Sequence, residues 1–323
     1  MMTMPAPLHC EGNRMTDVIS DMREDSRVVQ ATDKASEPLS ELVAQHRFAL
    51  LNPLTVEEMD WSDLPSQPLE NAAAKIRPHL MPRLVRLHEL SDDQRDALTT
   101  RIERYQKRGS AFFCALLETQ ASTERVATHL QEHLVQRRKG DSRRWWLRFY
   151  DPLVFRHLCW QWQDDQLDRL LGPISAWCWP GEGGQWYRRR YQADTEARYS
   201  YLFLEPQQWT QIDRITLLNA CLMNLQVFAP QQPQAPALWQ WVDNLIVNAR
   251  NIPLASDRDC QRYVEQAICH HPDIHAHPEL RARLDRIREQ GGSYITACKD
   301  LDAATLERLA ADMNSRITRK EAP

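Results

Sequence analysis

Apolar positions in the first half of the chain switch between a helical period and a strand period. A short helix over residues 39–44 leads into a first strand, Phe48-Ala49-Leu50-Leu51. Residues 52–68 carry three prolines and read as a loop, and residues 69–76 as a helical turn or two. Residues 83–88 read as a second strand. Ser91 and Gln94 have the spacing of a capping box, and Leu98, Ile102 and Tyr105 follow at helical intervals until Gly109. The continuous apolar run 111–117 has the length of a strand covered on both faces. Ser122 caps a helix that turns Val126, Leu130 and Leu134 inward, and Gly140 follows it. Over residues 143–150, Trp145, Leu147 and Phe149 alternate with Trp146, Arg148 and Tyr150, which is the period of a strand. Asp151 then stands at a helix N-cap, with Pro152 at the first helical position. A second short helix over 165–171 stops at Gly172-Pro173. Residues 174–179, a Gly-rich turn over 180–184, and residues 185–191 form a hairpin.

Beyond residue 192 only helical periodicity remains. One helix starts near Pro206 and carries Trp209, Ile212, Ile215 and Leu222. A Gln/Pro-rich linker follows over 230–236. Further helices open at Pro236, at Ser256 with Asp259, at Pro278 and near Ala303. The expected organisation has three parts: a loosely attached segment over residues 1–37, an α/β (α+β) lobe over 38–192, and an all-α lobe over 193–323. In the α/β lobe a mixed sheet is flanked by helices.

Composition narrows the function. The formal net charge is -4 with 26% charged residues, so no global basic field points to nucleic acid. The eight cysteines are scattered without a Cys-x-x-Cys pair and read as small buried hydrophobes of a reducing compartment. The N-terminus shows no basic segment followed by an apolar run. The longest apolar stretch, 215–229, is interrupted by Asn219, Asn224 and Gln226. A cytoplasmic protein without a membrane partner is expected.

Seven of the eleven tryptophans lie between residues 143 and 186, and large aromatics carry core and interface energy. Trp177, Trp179, Trp186, Tyr187, Arg188 and Arg190, on the hairpin, are the candidate protein-binding residues, because Arg, Trp and Tyr are common interface anchors. The run Arg188, Arg189, Arg190 between aromatics also suits single-stranded nucleic acid, helped by Arg143 and Arg144 if their strands pair. The net charge weighs against that alternative. Residues 269–277, with Cys269, His270, His271, His275 and His277, form the one metal-like cluster, and the alternative function is a Zn-binding module or an enzyme that uses it. Without a second ligand pair they read as a helix end, where His suits the C-terminal dipole, followed by a Pro-broken turn. No nucleophile elbow, phosphate loop, zinc-protease or dinucleotide motif occurs, so no catalytic residue, cofactor or metal is assigned. Asp151 before Pro152 reads as a cap, and Arg148 as an architectural ion-pair partner.

Two runs carry a resemblance: Leu147-Arg148-Phe149-Tyr150-Asp151-Pro152 and, after a helical pair, Leu171-Gly172-Pro173-Ile174-Ser175-Ala176-Trp177. Together they resemble the signature of the type VI secretion effector adaptors. Leu171 stands where that family more often has an aromatic. The resemblance extends back through residues 47–51 and 82–87 and covers roughly residues 45–190. It implies a non-enzymatic chaperone that holds an effector protein on one surface and meets the VgrG spike with another. Arg148, Phe149, Tyr150, Asp151, Pro152, Gly172 and Pro173 would be its structural motif. The helical lobe, outside the resemblance, would vary with the client.

Overall fold

The computed structural model describes residues 32–74, 76–192, 201–228, 234–252, 254 and 256–321. The 1–31 part of the expected loose segment, and residues 230–233 of the expected linker, lie outside these. The described chain falls into two compact units, divided between Asp213 and Arg214.

The first unit contains, in order, β1 (Thr32–Lys34), α1 (Leu39–Gln45), β2 (Phe48–Leu51), β3 (Ser66–Pro68), β4 (Arg83–Arg86), α2 (Asp92–Lys107), β5 (Ala115–Glu118) and α3 (Thr123–Leu134). There follow β6 (Val135–Arg137), β7 (Arg144–Trp146), α4 (Pro152–Gln161), α5 (Asp164–Leu171), β8 (Ala176–Pro180), β9 (Trp186–Arg190) and the start of α6 (Pro206–Phe228). Seven strands form one sheet in the order β1-β9-β8-β5-β2-β4-β3. Every described pairing in it is antiparallel, where a mixed sheet was expected. The intervening helices return the chain for antiparallel pairing rather than closing βαβ crossovers.

Register explains why both faces are apolar. Phe48, Leu117 and Trp177 lie in one row across β2, β5 and β8; Ala49, Leu116 and Cys178 lie in the next. Successive side chains on a strand point to opposite faces. The second row packs with Leu42 and Val43 of α1 and Leu98, Ile102 and Tyr105 of α2. On the first row, Phe155 of α4 stacks on Trp177 at 4.8 Å, and Phe149 meets the same indole at 6.1 Å. β5 is therefore the central strand, as its unbroken apolar run predicts, although Phe112 and Phe113 precede the strand as buried loop residues.

Three local expectations are revised. Thr32–Lys34, placed by sequence in the loose segment, pairs with β9 at a sheet edge. Ser66–Pro68, within the expected loop, pairs with β4 at the other edge; Pro68 ends the strand there, where a missing donor costs least. Residues 143–150 are not one strand of the main sheet. Only Arg144–Trp146 is extended, and it pairs with β6 in a separate two-stranded ribbon. Residues 147–151 turn into α4 and bury Leu147, Phe149 and Tyr150. The alternation is real, but the turn at 147–151 interrupts it.

Helix boundaries follow local chemistry closely. The Ser91 hydroxyl accepts from Gln94 N at 3.3 Å, and Gln94 Oε1 accepts from Ser91 N at 2.9 Å. Gly172 ends α5 at φ +56°, where a Cβ would lie 2.2 Å from the His129 ring.

The second unit is helical. It holds the rest of α6, then α7 (Pro236–Asn251), α8 (Asp257–Cys269), α9 (Pro278–Gln290), a one-turn α10 (Tyr294–Ala297) and α11 (Ala303–Glu321). Arg214 and the buried Asp243 pair at 2.7 and 2.9 Å. Asp259, also buried, accepts from the hydroxyls of Ser256 and Ser293 and from Ile295 N. Burial raises and these hydrogen bonds lower its pKa; the hydrogen bonds prevail, and the carboxylate stays charged. No helix among the described residues is long and apolar enough to cross a membrane.

Candidate functional site

The motif at the entrance to α4 is built by one carboxylate. Asp151 Oδ1 accepts from Leu153 N at 2.9 Å, and Oδ2 accepts from Arg148 at 2.7 Å. Pro152 occupies the first helical position. Arg148 is an ion-pair partner, as expected, but at the surface: its side chain is 54% exposed. Tyr150 is buried, and Trp146 Nε1 donates to its hydroxyl at 3.5 Å.

The hairpin differs from expectation in what it exposes. Trp177, Trp179 and Trp186 are buried, so they build the core and offer no surface to a partner. Tyr187 is half-buried and stacks on Trp179 at 5.9 Å. Of the arginine run, Arg188 is buried and donates to Glu37 at 2.8 Å and to Cys178 Sγ at 3.3 Å. Arg189 is buried and donates to Asp164 at 2.9 Å, with Asp168 at 3.9 Å. Only Arg190 is exposed, with Glu118 at 3.8 Å. The run is therefore no cationic face for nucleic acid. Arg144 does not join it, because β7 pairs with β6. Strand alternation sends Arg188 and Arg189 to opposite faces, and both faces are covered.

Cys178 and His46, 132 positions apart, were not brought together by the sequence reading. Cys178 Sγ lies 3.3 Å from His46 Nε2, while His46 Nδ1 approaches Leu42 O at 2.6 Å. Burial raises the thiol pKa against the lowering effect of Arg188, and burial lowers that of His46. Both groups stay neutral inside the sheet.

The exposed apolar groups lie elsewhere. Leu153, in the first turn of α4, is 45% exposed beside Asp151. Tyr201 to Glu205 runs extended before α6, burying Leu202 and Leu204 and turning Tyr201 (84%) and Phe203 (58%) outward. Gln166 of α5 donates to Phe203 O at 3.1 Å and fixes this segment. The run Tyr201-Leu202-Phe203-Leu204 is apolar throughout, so the sequence alone does not mark which of these side chains face outward.

The metal-like cluster is dispersed. His271 Nδ1 accepts from Asp273 N at 3.0 Å. His277 caps α9 by accepting from Glu279 N at 3.2 Å, and its Nε2 meets Asp312 at 3.0 Å. His275 stacks on Tyr263, with ring centroids 3.5 Å apart. His270 does end α8, but burial pushes its pKa down to about 4, so no imidazolium serves the helix dipole at neutral pH. Among the described residues no group of three or more His, Cys, Asp or Glu is placed to hold a metal ion.

Residues 60–169 match the family model described as Domain of unknown function (DUF4123). This domain is associated with type VI secretion effector adaptors. The match covers about a third of the chain, from ahead of β3 to most of α5. It contains the Arg148 to Pro152 motif and ends before Gly172-Pro173 and the hairpin, so it is narrower than the resemblance read over 45–190. No curated protein and no solved structure matches the chain.

Proposed function

We propose that this chain is a cytoplasmic, non-enzymatic adaptor that binds a type VI secretion effector and helps load it onto the VgrG spike. The observation that carries this reading is the DUF4123 match together with the Arg148-to-Pro152 motif inside it. Such a task calls for no reacting group. It calls for a rigid scaffold that exposes a few apolar anchors and releases its client on delivery. The antiparallel sheet, packed on both faces, suits the scaffold. Exposed Leu153, Tyr201, Phe203 and Arg148 are the groups we assign to partner contact. They replace the buried tryptophans in that role.

Deletion of the gene in the native bacterium tests the reading. One effector should then fail to reach prey cells while spike assembly and unrelated effectors continue. Unchanged delivery of every effector would contradict it.

A further inference from the structure

The helical unit contains a cavity of about 320 Å³ between α7, α8 and α9. That is the lower end of the size range of ligand pockets, enough for one large side chain. Its apolar lining comes from Leu245, Tyr263 and Leu284, which are buried, with Ile252 beside them. Leu245 and Asn248 on α7, with Ile252 just past its end, are spaced i, i+3, i+7, and Arg281, Leu284 and Arg288 likewise on α9. The cavity is thus a trough between two helix faces.

Two polar features single it out. His275 lines the cavity, is 8% exposed, and has no hydrogen-bond partner at its buried Nε2. An unpaired buried nitrogen is a standing cost. Arg281 is exposed at the same cavity and forms no ion pair among the described residues. The other guanidinium there, Arg288, is held by Asp285 at 3.1 Å. Asp273 and Arg281 both border the cavity and are solvent-exposed, and with the Arg288–Asp285 pair the charges of the lining sum to zero. Affinity would come from the apolar lining, and selectivity from Arg281, whose planar fork matches a carboxylate.

We propose that this trough is a docking site for a peptide segment of a protein partner, in which an apolar side chain fills the cavity and an adjacent carboxylate pairs with Arg281. The partner's being a polypeptide rests on the adaptor reading; the chemistry of the site does not.

The test is titration of the full chain with the blocked peptide Gly-Phe-Glu-Gly, following the ring resonances of His275 and Tyr263 by NMR. Those resonances should shift. Binding should weaken about five-fold when Glu in the peptide is replaced by Gln, the size of effect typical of one exposed ion pair, and vanish when Phe is replaced by Ala. Arg281→Ala should erase the Glu-over-Gln preference. Asn248→Trp, at an exposed position, should block the trough without disturbing the fold. Absent ring shifts, equal binding of the Gln peptide, or unchanged binding by Asn248→Trp would overturn the proposal. So would binding of free 4-methylpentanoate where the peptides fail, which would mark a small-acid site. Effector capture separates this from the adaptor reading. An Asn248→Trp chain that captures effector as wild type does removes the trough proposal alone. A wild-type chain that captures none removes the adaptor reading, while the peptide titration still decides the trough.

Discussion

Arg148 and Asp151 are joined by a 2.7 Å hydrogen bond on the surface of α4, and the same carboxylate caps the helix through Leu153 N. The two residues therefore have different duties. Asp151→Ala removes the cap and should cost about 1 kcal/mol of stability. Arg148→Ala removes an exposed pair and should change stability by less than about 0.5 kcal/mol. Chemical denaturation of the two variants checks this. If Arg148 also meets a partner, its alanine variant should lose effector capture while keeping its denaturation midpoint.

Arg189 and Arg190 are neighbours with opposite fates. Arg189→Ala strips a buried guanidinium from the exposed Asp164 and leaves the buried Asp168 with Gln192 N as a donor, and should destabilise by about 1–3 kcal/mol. Arg190→Ala should lie within about 0.5 kcal/mol of wild type. Denaturant midpoints of equal size for the two would show that the arginine run is a solvated face after all.

Tyr201 and Phe203 are surface groups whose loss should leave the fold intact. The double variant Tyr201→Ser, Phe203→Ser should keep its thermal midpoint within about 2–4 °C. On the adaptor reading it should weaken effector capture at least ten-fold, measured by quantitative co-purification.

The fold was legible wherever the signal was local. Ser91 with Gln94, Ser122, Asp151-Pro152, Gly172, Ser256 and Pro278 each sit at a helix end, because capping depends on the few residues around it. The run ending in Leu117 placed a central strand, because only burial on both faces tolerates it. What depends on distant partners was not legible. Whether Arg144 faces β6 or β9, and whether Trp177 faces helix or solvent, is decided by packing. Thr32–Lys34 and Ser66–Pro68 carry no apolar alternation, and they are strands because β9 and β4 have edges to cover.

Acid should weaken the protein through its buried histidines, His275, His129 and His270 foremost. Burial lowers the pKa of His275 to about 3; burial, then the neighbouring His133, lowers that of His129 to about 4. The unfolded chain takes up these protons near pH 6.5, so below that value it binds more protons than the native state. Stability should therefore be flat around neutral pH and fall from pH 6.5 towards about 4, and for His275 towards about 3, by up to about 1.4 kcal/mol per pH unit for each histidine. Urea titrations at pH 7, 6 and 5 read this slope. His275→Phe, which keeps the stacking on Tyr263, should reduce it.

Stoichiometric co-purification from a lysate of the native cells tests adaptor function most directly. Tagged chain expressed at its natural level should retain one effector polypeptide at close to one copy per chain, with VgrG at lower occupancy. A preparation that carries neither, from cells with an active type VI system, would contradict the account.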